Sequence, residues 1–173
     1  MEKNMRDNNI LSAIGKTPLI KIHLTNEEEA NVVAKLEFLN PGSIKDRMAL
    51  YMVEKAEKKG VLKPGMTILE ATSGNTGIAF AMIAAVKGYK MIAVMPEDMS
   101  RERQQIIRAF GARLILTPAK QGPEEAIRKR DELAKRILHS WVPDQFGNED
   151  NIMAASLVLM ALKALAKGLF RLW

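Results

Sequence analysis

From residue 31 to residue 117, short apolar runs alternate with segments of helical period, and this alternation constrains the fold more than any other property of the chain. Val32–Leu36 reads as a strand. A helix follows from about Ser43 to Lys59, carrying Met48, Leu50, Met52, Val53 and Ala56 and stopping at Gly60. A strand over Thr67–Ala71 leads into a helix over Gly77–Lys87 closed by Gly88, and a strand over Met91–Met95 ends at Pro96. Ser100 can cap a helix to Phe110, with Arg103 rather than Glu three residues on, so no full capping box forms. Gly111 stops that helix before a strand at Leu114–Leu116, and Pro123 can open a helix through Leu138. Strands separated by helices predict an α/β fold, a three-layer sandwich around a parallel sheet with right-handed crossovers. Ligands of such sheets gather at the carboxyl ends of the strands.

One such end is occupied by Glu70-Ala71-Thr72-Ser73-Gly74-Asn75-Thr76-Gly77. A polar, glycine-containing turn between strand and helix aims several backbone N–H groups at one spot, and the helix N-terminus adds partial positive charge there. The hydroxyls and carboxamide of residues 72–76 add side-chain donors. This is a seat suited to a carboxylate or phosphate. It does not by itself name a reaction.

Composition removes several alternatives. With no cysteine, disulfides, thiolate metal sites and a cysteine nucleophile are excluded. The two histidines, His23 and His139, have no ligand spacing around them and read as structural or solvated. The net charge is +6, but three of the bases lie in the last 23 residues, which contain no acid. Elsewhere Lys and Glu are interleaved, as in Glu54-Lys55-Ala56-Glu57-Lys58-Lys59, and aromatics make up 5% of the chain. Solvated helix faces explain that pattern better than a nucleic-acid surface with stacking rings. The polar start, Met1–Asn9, lacks the apolar core of a signal peptide, which points to a cytoplasmic setting.

A second constellation is Asn40-Pro41-Gly42-Ser43-Ile44-Lys45-Asp46-Arg47, which places a lysine at the start of a helix after a Pro-Gly turn. The positive helix end opposes a second positive charge, so such an amine is expected to ionise less readily and to be competent toward an aldehyde. A solvated surface lysine is the plainer reading of the same residues.

Taken together, the two constellations resemble the cysteine synthase (O-acetylserine sulfhydrylase) and cystathionine β-synthase family of fold-type II pyridoxal-phosphate enzymes, in its N-terminal half. The likeness also runs through Gly15-Lys16-Thr17-Pro18-Leu19, Lys35-Leu36-Glu37, Met95-Pro96-Glu97-Asp98-Met99-Ser100-Arg101-Glu102-Arg103, Gly111-Ala112 and Pro143-Asp144-Gln145-Phe146. It extends in order from about residue 10 to about residue 150. The resemblance implies that Lys45 holds pyridoxal phosphate and later moves protons at the substrate α-carbon. It implies that Asn75 hydrogen-bonds the phenolic oxygen of the cofactor. Thr72, Ser73, Gly74 and Thr76 match the loop that grips the amino-acid carboxylate, and Gln145 matches a glutamine that reaches the substrate. The implied reaction is β-replacement: acetate leaves an acyl-serine and sulfide adds to give cysteine. The substrate is then a small amino acid, with no nucleic-acid partner.

Two departures stand out. The lysine turn is one residue shorter than the family's usual Asn-Pro-Gly-Gly-Ser-x-Lys, and displacement of a catalytic group by about an ångström is costly. Nothing like the family's Gly-Thr-Gly-Gly-Thr phosphate loop follows residue 150. The resemblance therefore implies an N-terminal segment, 1–35, belonging to a larger domain, a smaller α/β domain over 36–144, and a return toward the larger domain with a divergent tail over 145–173. Activity is expected to be impaired in such a shortened chain. Met153–Trp173 is nearly all Ala, Leu, Val and Met, with Ser156, Lys163, Lys167 and Arg171 on one stripe, an amphipathic helix too charged to span a membrane. It is expected to cover an apolar sheet face or to pair with another subunit in a homo-oligomer. The competing reading is a non-catalytic α/β domain that serves as an interaction or assembly module.

Overall fold

The computed structural model describes residues 9–22 and 32–169. Its centre is a four-stranded, wholly parallel sheet of β3 (Thr67–Ala71), β4 (Lys90–Pro96), β5 (Arg113–Thr117) and β6 (Ser140–Trp141), in the order β5-β4-β3-β6. All five residues of β3 are buried, the continuous run expected of a parallel strand covered on both faces. Alternation along β3 and β4 divides the core. Leu69, Ala71, Ile92 and Val94 pack against Ala126 of α4 (Gly122–Arg136). Ile68, Met91, Ala93 and Met95 belong to the larger core, with α1 (Asp46–Lys58) and α2 (Asn75–Lys87). The three-layer α/β sandwich is thus present: α4 on one face, α2 and α3 (Arg101–Ala109) on the other.

α2 is enclosed on nearly every side, which is why its residues from Thr76 to Ala84 are all buried although the helix has no polar face of its own. It ends at Gly88, whose φ of 77° makes a left-handed cap, with its N–H donating to the Ala84 carbonyl. α1 packs on α2, and α5 (Glu149–Leu169) packs on α1.

Several elements differ from the sequence reading, each for a local reason. The helix expected from Ser43 begins at Asp46, because the Asp46 carboxylate folds back to accept the N–H groups of Gly42 (2.6 Å) and Ser43 (3.1 Å) and holds the turn out of the helix. The strand expected at 32–36 forms as β2 (Val32–Lys35), but it pairs antiparallel with β1 (Leu19–Ile22) rather than joining the parallel sheet. β6 was not anticipated, since two residues carry no periodicity. α5 covers a helix, not a sheet face, and Ile152, Met153, Leu159 and Met160 remain exposed on it. His139 is exposed and its carbonyl accepts the Thr67 N–H at 2.8 Å, while His23 lies outside the described residues. Of the basic stripe, the side chains of Lys163 and Lys167 and all of Arg171 likewise lie outside them.

Candidate active site

The turn between β3 and α2 is organised by Thr72. Its buried Oγ1 accepts the N–H groups of Gly74 (3.1 Å) and Gly77 (2.9 Å), so two of the donors expected to face a ligand are already satisfied. A glycine is required at 77 by close approach: a Cβ there would run into the Thr72 methyl and come within 3.2 Å of Ile107 Cδ1. The N–H groups of Ser73, Asn75 and Thr76 have no hydrogen-bond partner among the described residues, and the positive end of α2 reinforces them. Ser73 and Asn75 are exposed, whereas Thr72, Gly74 and Thr76 are buried. Arg103, at the start of α3, donates to the Ser73 carbonyl at 3.3 Å and lies alongside Gly74.

Gln145 joins this turn from the other end of the sequence. Its Oε1 accepts the Thr76 hydroxyl at 2.7 Å, and its Nε2 donates to the Ala71 carbonyl at 3.3 Å. The segment that carries it is held by Glu70, which accepts the N–H groups of Asp144 (2.9 Å) and Gln145 (3.4 Å) while fully buried. Burial pushes the Glu70 carboxyl up to about 7, against the pull of Arg130 and the two N–H donors. Arg130 in turn pairs with Asp131 and Asp144. The signal for Glu70 was visible as a lone charge in an otherwise apolar strand. Its partners, some 74 residues away, were not.

Lys45 precedes α1 with its N–H donating to Ser43 Oγ at 3.1 Å. It lines a hollow of about 380 Å³ with Glu37, Arg47, Met48 and, from α5, Asn151, Ala155 and Leu159. The volume lies within the range of small-molecule sites, roughly 300–1,000 Å³. Thr72, Ser73 and Gln145 line a separate hollow of about 140 Å³, closed by Pro96, Pro123 and Phe146. Thr76 meets Gln145 directly, whereas neither the Lys45 amine nor the Asn75 carboxamide is hydrogen-bonded to another candidate residue among the described residues.

The lysine turn is tied to the N-terminal segment by an ion-pair cluster. Arg47 donates to both oxygens of Glu37 (2.7 and 3.0 Å) and to the Gly15 carbonyl (3.1 Å), while Thr17 donates to Glu37 at 2.7 Å. Asn40 accepts the Gly15 N–H at 2.8 Å, and Lys35 donates to the Thr17 hydroxyl and carbonyl. The Arg47 hydrogen bonds, overcoming the cost of burial, hold the Glu37 carboxyl down at about 2. Here the Gly15–Leu19 and Lys35–Glu37 motifs find their structural purpose.

A parallel α/β domain with a donor-rich strand–helix turn at one carboxyl end and a lysine at a neighbouring helix start belongs to the class of ligand-binding α/β enzyme domains. The model for the family described as pyridoxal-phosphate dependent enzyme matches residues 10–167, and the chain belongs to that family. It is 52% identical over 149 residues to a cysteine synthase of Flavobacterium sp., covering 86% of this chain and 48% of the relative. Among solved structures it is similar to a cysteine synthase from Entamoeba histolytica (46% identity, TM-score 0.79, covering 84% of this chain and 45% of that one). It is also similar to an O-acetylserine dependent cystathionine beta-synthase from Helicobacter pylori (44% identity, TM-score 0.77, 84% and 49% covered). The chain spans about half the length of the curated relatives it matches.

Proposed function

We propose that the chain carries the lysine and carboxylate-loop part of a cysteine-synthase-type site, directed at β-replacement of O-acetylserine by sulfide, with impaired turnover. The observation that carries this reading is the α2 N-terminus, where Thr72 fixes the loop and leaves the Ser73, Asn75 and Thr76 N–H groups together and unengaged. In this reading those groups and the Ser73 hydroxyl receive the amino-acid carboxylate, and Gln145 contacts the substrate from beside Thr76. Lys45 would hold the cofactor and move a proton at the substrate α-carbon, and the Asn75 carboxamide would donate to the phenolic oxygen of the cofactor ring. These residues fit the aldehyde end of pyridoxal phosphate. The Arg47 guanidinium beside Lys45 is committed to Glu37. When bound, the cofactor supplies the electron sink for the α-carbanion.

Residues 36–144 would form the smaller domain, with 1–35 and 145–173 contributing to a larger one. Among the described residues no helix is long and apolar enough to cross a membrane; a cytoplasmic setting is our proposal. A second reading, an assembly module, draws on the apolar residues exposed on α5 and on the β1–β2 ribbon, where Ile20 is 44% and Val33 46% exposed. On either reading a homo-oligomer is expected, and a sharp monomeric mass by light scattering would contradict it.

The test is direct. Pyridoxal phosphate added to the chain should give an absorbance band at the visible edge, and borohydride should fix a pyridoxyl group on Lys45, read by peptide mass spectrometry. Both should vanish in Lys45→Ala. No band, or labelling spread over surface lysines, overturns the cofactor assignment. Cysteine formation from O-acetylserine and sulfide then separates binding from turnover.

A further inference from the structure

Among the described residues, Glu70 is the one carboxylate that joins the two sequence-distant parts of the candidate site. It sits at the carboxyl end of β3, is 0% exposed, and accepts from two consecutive backbone N–H groups of the segment that delivers Gln145 to Thr76. That segment is also held by Arg130 on the Asp144 carboxylate (3.2 Å), by Gln145 Nε2 on the Ala71 carbonyl (3.3 Å), and at its far side by Asn148 on the Pro143 carbonyl (2.9 Å) and Asn151 on the Gln145 carbonyl (2.7 Å). Asp144 takes a φ of 51°, the only non-glycine positive φ among the described residues, at the point where the two N–H groups meet Glu70.

We propose that Glu70 is the positioning residue of the Gln145 arm: its ionised carboxylate clamps the backbone of Asp144 and Gln145 to the end of β3, sets Gln145 against Thr76, and releases the arm when the charge is lost. An ionised carboxylate accepts both N–H groups, whereas a protonated one turns one oxygen into a donor and faces an N–H with it. The charged groups around Glu70 are few. Arg130 of α4 favours the ionised form, Asp144 opposes it, and Asp131 shares Arg130. Ala93 is its partner in register on β4, and β6 contributes only Ser140 and Trp141, neither of them charged. With burial raising the carboxyl to about 7, the clamp changes state near neutral pH. The raised value also sets a sign: the fold loses stability as pH rises from about 4.5 to about 7, whereas the folded carboxyl ionises and the clamp tightens within about a unit on either side of 7.

The proposal concerns the chain without ligand, and only the substrate role of Gln145 rests on the function proposed above. The experiment is a series of amide NMR spectra of the whole chain from pH 5.5 to 8.5. The Asp144 and Gln145 amides should shift together through one midpoint within about a unit of 7. Their hydrogen exchange, corrected for the intrinsic pH dependence, should be about tenfold slower at the top of the range than at the bottom, the size of change a charge-assisted bond confers. In the isosteric Glu70→Gln variant the titration should vanish and exchange should be fast at every pH. Flat amides in the unmodified protein, or the same midpoint persisting in Glu70→Gln, overturns the proposal. If Glu70→Gln does not fold, Asp144→Asn removes the competing carboxylate instead. Retention of the midpoint then supports Glu70 and its loss refutes it. Because no ligand is added, failure here is distinguishable from failure of the cofactor assignment.

Discussion

Replacing Gly77 with alanine tests whether the Thr72 hydroxyl organises the strand–helix turn. The added Cβ meets the Thr72 methyl first, with Thr72 Oγ1 and Ile107 Cδ1 each at 3.2 Å, inside a core that has no room to yield. Moving Thr72 away sacrifices its bonds to the Gly74 and Gly77 N–H groups, worth about 1 kcal/mol each, and overpacking adds about 1–3 kcal/mol. The better helix propensity of alanine returns at most about 1 kcal/mol. The net expectation is a loss of about 2–4 kcal/mol, which lowers a urea midpoint by about 1–2 M at a typical slope of about 2 kcal/mol/M. Thr72→Ser removes the nearest colliding atom while keeping the oxygen, at a cost of about 0.8 kcal/mol for one buried methyl. The double variant should therefore be more stable than Gly77→Ala alone, with a coupling of about 1–2 kcal/mol in a double-mutant cycle. Urea unfolding followed by far-ultraviolet circular dichroism gives all four corners. A Gly77→Ala protein as stable as the parent, or a double variant no better than Gly77→Ala, refutes the reasoning.

Two further outcomes are expected. Glu37, held down at about 2 by Arg47, contributes stability that is present above its ordinary value of 4.5 and lost as pH falls toward 2. Because the group keeps contact with solvent, screening reduces that contribution to about 1–2 kcal/mol, and Glu37→Gln should flatten acid unfolding profiles over that interval while parent and variant converge near pH 2. Val158 lines both solvent-open hollows that flank the α1–α5 contact, about 330 and 380 Å³, so the partly buried methylene added by Val158→Leu should raise thermal stability by about 0.5 kcal/mol. A fall in the melting temperature would show that the space is not available to the added methylene.

The legible part of this fold was what short-range patterning controls. Thr67–Ala71 was placed to the residue because polar turns bound a continuous apolar run, and α2 and α3 were stopped by Gly88 and Gly111. What escaped depended on contacts across the chain. The start of α1 shifted because Asp46 prefers the loop N–H groups to the helix, a choice that spacing does not reveal. β2 reads like a sheet strand, yet its partner is β1. In the candidate site the donor-rich turn was visible, but the capture of two of its donors by Thr72 and the bracing of Gln145 by Glu70 are tertiary facts.

β6 pairs with β3 only at Thr67 and Ile68, so among the described residues Leu69, Glu70 and Ala71 have no strand on their outer side. Side-chain and turn contacts from residues 144 and 145 stand in for one there, through Glu70 and the Ala71 carbonyl. That substitute doubles as a guard against intermolecular strand addition. A molecule in which it lifts offers three rungs of unpaired strand edge to its neighbours, the kind of unprotected ladder from which fibrils nucleate.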